Sequence, residues 1–218
     1  MFDAVLFDLD GTFADTAPDL AAALNRLRAD LDLAPVPPAR LRPHTSHGVR
    51  GMLAAGLDMR PTDPLYEEFR ERFLRYYSAD ICVHTTIFAG IDEVLDACEQ
   101  RGAAWGIVTN KAQRFTLPLL HQLGYARRAA CVVSGDSARR AKPAPHPMQL
   151  ACRLLAADAA RCLYVGDDLR DIEAGRAAGM ATVAVRYGYL GDGEPIEAWG
   201  ADHLVARAED IAVVAGFG

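Results

Sequence analysis

Residues 4–12 read Ala4-Val5-Leu6-Phe7-Asp8-Leu9-Asp10-Gly11-Thr12. The unbroken apolar run of residues 4–7 has strand length and no polar alternation, as in a strand covered on both faces. It ends in acids, and Gly11 permits the tight turn that follows. The same shape recurs downstream. Residues 104–108 end at Thr109, 131–133 at Ser134 and 162–165 at Gly166-Asp167, and a fifth run spans 182–185. Helical patterns lie between these runs. Residues 91–101 set Ile91, Val94, Leu95 and Cys98 on one stripe with acids opposite and stop at Gly102, and residues 169–178 stop at Gly179. Buried strands alternating with helices predict an α/β protein: a Rossmann-like, three-layer core around a parallel sheet.

Between the first and second runs lies a gap from Gly11 to Ala103, where a simple crossover needs only about a dozen residues. Residues 19–31 predict a helix with Pro18 near its first turn, Val36-Pro37-Pro38 breaks the chain, and residues 48–57 form a short helical stretch. Residues 64–79 carry Leu65, Phe69, Phe73 and Tyr76 at helical spacing. Residues 16–82 are therefore expected to form an all-helical cap, inserted after the first strand of a catalytic core made of residues 1–15 and 83–218. The aromatic stripe is expected to be the cap's own core.

The 218 residues are 51% hydrophobic and 24% charged, a composition that supports a large core and excludes a disordered chain. Lys and Arg total 23 against 29 Asp and Glu, a net charge of -6 that argues against nucleic-acid partners and against a polybasic membrane patch. The five cysteines are odd in number, contain no C-x-x-C pair and sit in apolar runs, which predicts free thiols in a reducing cytoplasm. No apolar run reaches the length of a membrane span or signal core. A monomer is the default, with a dimer through the cap left open.

Asp8, Thr109 and Asp167 each fall just past an apolar run, and the carboxyl ends of strands in an open α/β sheet form its ligand crevice. Met alone, Asp10-Gly11 makes a turn and Asp167 or Asp168 caps a helix. Together they bring several acids to one place. Two like charges 4 Å apart cost about 4 kcal/mol at an effective dielectric of about 20, so a hard divalent cation with oxygen ligands, Mg²⁺, is expected.

Asp8-Leu9-Asp10-Gly11-Thr12, Val108-Thr109-Asn110, Lys142-Pro143 and Gly166-Asp167-Asp168-Leu169-Arg170-Asp171 resemble, in this order, the four motifs of the haloacid dehalogenase-like hydrolase superfamily. The resemblance spans nearly the whole chain, and the insertion resembles that superfamily's helical cap. It implies that Asp8 is the nucleophile, forming an aspartyl-phosphate, and that Asp10 is the general acid and then the base. Thr109 and Lys142 would hold and neutralise the phosphoryl group, with Gly11, Thr12 and Asn110 among the substrate-binding residues. Asp8, the backbone carbonyl of Asp10, and Asp167 would ligate Mg²⁺. Asp171 would support that ligand shell; Asp168 would either do the same or cap the helix at Leu169.

The cap segment Pro43-His44-Thr45-Ser46-His47-Gly48-Val49-Arg50 has the position of a substrate-reading loop, with His47 and Arg50 as candidates and Arg50 able to meet a second anionic group. His44 and His47 lack further metal ligands and are read as surface or substrate-facing. Trp105 to Lys111, Val165 to Gly179, Ala184 to Tyr189 and Trp199 to Asp202 resemble the phosphoglycolate phosphatase branch, within it a subgroup that includes N-acetylmuramic acid 6-phosphate phosphatase. Phe13-Ala14 departs from the usual aliphatic pair there, a change expected to touch packing. The expected function is Mg²⁺-dependent hydrolysis of a small phosphorylated metabolite. The alternatives are a phosphosugar mutase, a phospho-acceptor signalling domain, for which the cap has no use, and a silent binding protein.

Overall fold

In the computed structural model, which describes residues 1–191 and 193–217, the run from Ala4 to Phe7 is a central strand of the sheet. In chain order the elements are β1 (Ala4–Phe7), β2 (Ala14–Asp15), α1 (Ala17–Ala29), α2 (Pro38–Leu41), a 3-10 turn (Arg42–His47), α3 (Gly48–Leu57) and α4 (Tyr66–Ala79). There follow β3 (Thr86–Ile87), α5 (Ile91–Gln100), β4 (Ala104–Val108), α6 (Gln113–Leu123), β5 (Cys131–Val133), α7 (His146–Leu155) and β6 (Cys162–Gly166). The chain continues through α8 (Leu169–Ala178), β7 (Ala181–Val185), β8 (His203–Val205) and α9 (Asp210–Ala215).

The main sheet is parallel, in the order β5-β4-β1-β6-β7-β8. Phe7 stands level with Ile107 of β4 and Val165 of β6, so the residues after these strands emerge along one edge. Val5 and Phe7 enter one apolar cluster and Ala4 and Leu6 another, which is why β1 shows no polar alternation. β8 was not foreseen. It has three residues, of which His203 and Leu204 are exposed, so it carries no buried run.

Residues 17–79 hold helices only. α1 spans Ala17–Ala29 rather than 19–31, with Pro18 in its first turn. α4 starts at Tyr66, and its buried residues are Tyr66, Phe73 and Tyr77. Leu65 stands outside the helix, 52% exposed, and Tyr76 is half-buried, so the buried stripe is rotated from the expected one. The apolar residues of these helices and those on one side of the sheet form a single cluster. Phe13 lies inside it, stacked 5.9 Å from Trp105 and edge-on to Tyr125 at 5.1 Å, which makes its departure from the family pattern one of packing.

Two chain crossings join the insertion to the sheet, and β2 pairs with β3 across them. Asp19, buried in α1, accepts hydrogen bonds from the backbone N–H groups of Val83, His84 and Thr85 and from the Thr85 hydroxyl. The five cysteines are free, and burial pushes the thiols of Cys98 and Cys162 up to about 12. Among the described residues no helix is long and apolar enough to cross a membrane.

Candidate active site

The edge beyond β1 and β6 gathers three acids. One carboxylate oxygen from each of Asp8, Asp167 and Asp171 lies within 4.8 Å of the others. Asp8 follows β1 and donates its backbone N–H to Val165 at 2.9 Å. Asp167 follows β6 and Asp171 lies one turn into α8; both are almost fully buried. Burial first, then the charges of Asp8 and Asp171, push the Asp167 carboxyl well above its ordinary value. Burial likewise raises Asp171, to about 7, against the pull of Lys142.

Asp167 is held on both oxygens. The Thr12 hydroxyl donates to Oδ1 at 2.8 Å and the Tyr189 N–H to Oδ2 at 2.8 Å. A Cβ on Gly11, whose φ is 89°, would lie 2.2 Å from Asp167 Oδ2, and one on Gly188 would lie 2.2 Å from the Asp167 Cβ. Both positions therefore exclude any side chain. Gly11 and Thr12, expected to bind substrate, are instead buried beneath the acids and are absent from the cavity wall.

Lys142 brings a cation into the cluster, its Nζ 2.6 Å from Asp171 Oδ1 and 2.8 Å from Asp8 Oδ1. Burial opposes its charge, but the two carboxylates outweigh burial and raise it above an ordinary lysine. The angles at Asp8 miss hydrogen-bond geometry, so Asp8 Oδ1 is buried without a donor. Three crowded acids around one ammonium, with an Asp8 oxygen that is ion-paired but lacks a hydrogen bond, make a donor set suited to a hard divalent cation. Asp168 is not among those acids. Its side chain accepts the Arg170 N–H as the N-cap of α8 and pairs with the Arg170 guanidinium at 2.7 Å, while Asp171 completes a capping box. It is a helix cap, and the reading of Asp168 as a support for metal ligands gives way to it.

Thr109, after β4, is 2% exposed and lines the cavity. Asn110 lines the cavity too, but its side chain is spent on Lys142, exchanging hydrogen bonds with the backbone N–H at 2.9 Å and carbonyl at 3.1 Å. It holds the lysine loop in place. The Asp10 carboxylate stands apart from the acid cluster, accepting on Oδ1 from Thr16 at 2.6 Å and from Lys111 Nζ at 2.8 Å. Sequence reasoning missed Lys111, although it directly follows Thr109-Asn110. Against burial, the Asp10 charge holds Lys111 above its ordinary value.

These groups open on a cavity of about 350 Å³. Its far wall comes from the insertion: Ser46, His47 and Arg50, then Phe73 and Tyr77 of α4, which are core and cavity wall at once. The supposed loop is ordered, with His47 ending the 3-10 turn and Arg50 already in α3. It touches the acid edge directly. Ser46 Oγ lies 3.4 Å from Asp167 Oδ2, and Arg170, steadied by Asp168, donates to the Ser46 carbonyl at 2.7 Å.

Residues 5–185 match the haloacid dehalogenase-like hydrolase family. The chain is 45% identical over 208 residues to N-acetylmuramic acid 6-phosphate phosphatase of Pseudomonas aeruginosa, covering 95% of this chain and 92% of that one. It is 44% identical over 212 residues to phosphoglycolate phosphatase of Xanthomonas campestris pv. campestris, covering 95% and 94%. Among solved structures, a predicted phosphoglycolate phosphatase from Haemophilus somnus superposes with a TM-score of 0.86 at 27% identity, covering 98% of this chain and 97% of that one.

Proposed function

Because the chain belongs to the haloacid dehalogenase-like hydrolases and is a phosphoric monoester hydrolase, we propose that it cleaves a small phosphomonoester through an aspartyl-phosphate on Asp8. The observation that carries this reading is two differently placed acids at one strand end: Asp8 beside Lys142 and the acid cluster, Asp10 beside Thr16 and Lys111. An Asp8 oxygen attacks phosphorus as the bond to the leaving oxygen breaks, and Asp10 gives that oxygen its proton. Asp10 then takes a proton from the water that hydrolyses the aspartyl-phosphate, which releases phosphate and restores Asp8. The Lys142 ammonium and the Thr109 hydroxyl counter the phosphoryl charge. Mg²⁺ would be held by Asp8, the Asp10 backbone carbonyl and Asp167, with Asp171 beside them, and supplies positive charge against the phosphoryl oxygens.

We assign residues 1–15 and 83–218 to the catalytic core and residues 16–82 to a cap that encloses the substrate. The ligand is a small phosphorylated metabolite; the net charge of -6 disfavours nucleic acid, and the protein acts as a cytoplasmic monomer away from membranes. The substrates in the two relatives' names share one chemistry, a phosphate ester and a carboxylate in the same molecule. Phosphoglycolate is one reading. The cavity favours a second, N-acetylmuramic acid 6-phosphate, because about 350 Å³ lies within the roughly 300–1,000 Å³ filled by ligands far larger than a two-carbon acid.

Phosphate release from both compounds and from several sugar phosphates, with Mg²⁺ and with EDTA, tests the proposal. One preferred substrate whose turnover stops in EDTA is expected. Release that continues in EDTA overturns the metal assignment, and an isomeric product without free phosphate replaces hydrolysis by a mutase.

A further inference from the structure

The cavity wall carries more positive charge than the phosphate end employs. Lys142 is matched by Asp8 and Asp171, Lys111 by Asp10, and Arg170 by Asp168. Arg50 and Arg114, both exposed at the rim, line the same cavity, and among the described residues neither side chain has a carboxylate partner or a hydrogen bond. Arg50 lies in the first turn of α3 and Arg114 in the first turn of α6, and neither turn contains an acid. The helix dipole opposes a cation at that end. α4, α5 and α8 begin with acids, whereas α2 and α7 do not. A residue choice that works against its own helix is expected where a site requires it.

The surroundings of Arg114 point the same way. Its guanidinium lies 4.7 Å from the centroid of the Phe115 ring, and Phe115 packs 5.8 Å from Tyr77. Tyr77 is 2% exposed, lines the cavity, and its hydroxyl has no hydrogen-bond partner. A buried hydroxyl left unpaired in a cavity wall is satisfied by what fills the cavity.

We propose that Arg50 and Arg114 form a subsite for a carboxylate on the substrate, remote from its phosphate, with the Tyr77 hydroxyl bonding the body between the two. A planar guanidinium fork matches a planar carboxylate. The subsite rests on the hydrolase reading above and goes beyond it, since it assigns selectivity to one residue of the insertion and one of the helix after β4.

The test uses two matched pairs differing in the acid: phosphoglycolate against its amide, and N-acetylmuramic acid 6-phosphate against N-acetylglucosamine 6-phosphate. The wild type is expected to prefer the acid member of one pair by about 10- to 100-fold in kcat/KM. Arg114→Gln and Arg50→Gln each lower kcat/KM on that acid by about tenfold or more, mainly through KM, and at least tenfold more than on its acid-free counterpart. Arg114→Lys recovers part of the loss. No preference in the wild type, equal losses on both members, or no loss in either variant overturns the subsite while the hydrolase stands. No release from any of the four compounds overturns the hydrolase reading and the subsite with it.

Discussion

Asp8 and Asp10 sit two residues apart yet meet different partners. Asp8 faces Lys142, Asp167 and Asp171, whereas Asp10 is turned toward Thr16 and Lys111. Asp8→Asn keeps the shape and removes the attacking carboxylate, so kcat is expected to fall by about 10⁴-fold or more while the protein stays folded. Phosphate release and thermal unfolding of the variant check both halves; retained turnover would reassign the nucleophile. Lys111→Met removes the ammonium that fixes Asp10. Its kcat is expected to drop by about 10- to 100-fold with a smaller change in KM, because the lost contact orients the proton donor. An effect confined to KM would instead make Lys111 a substrate contact.

At the scale of elements, the two crossings between insertion and sheet are tied by one side chain. Asp19 satisfies three consecutive backbone N–H groups, and Asp19→Ala strands the buried one of Thr85 together with the Thr85 hydroxyl. The expected loss is about 3 kcal/mol, which for a chain of this length lowers Tm by roughly 6–12 °C. A melt unchanged within a degree would show that water replaces the carboxylate there. α8 illustrates how one short motif serves several ends: Asp168 caps it, Asp171 reaches the acid cluster, and Arg170 reaches the insertion at Ser46. The spacing of these acids was legible in the sequence. Their division of labour was not, because it depends on which way α8 leaves β6.

For the whole molecule, the parallel sheet collects acids from separate strands into a space that repels them. A bound divalent cation relieves that repulsion only in the folded protein. Free Mg²⁺ at about a hundred times its Kd is therefore expected to stabilise the fold by about 2.7 kcal/mol, raising Tm by roughly 5–11 °C. Asp167→Asn should lose most of that shift. Differential scanning in EDTA and in Mg²⁺ decides it, and an equal shift in the variant would move the cation elsewhere.

Periodicity and motif order already carried the strands that begin at Ala4, Ala104, Cys131 and Cys162, the helices between residues 17 and 79, and the placement of Asp8, Thr109 and Asp167 at strand ends. Those features follow from local burial patterns, which a chain displays residue by residue. The pairing of Lys111 with Asp10, the burial of Gly11 and Thr12 under Asp167 and the convergence of Arg50 with Arg114 on one cavity were decided by tertiary structure. Each joins side chains through space, at distances and angles set by the packing of helices on the sheet, and no local pattern in the sequence records those.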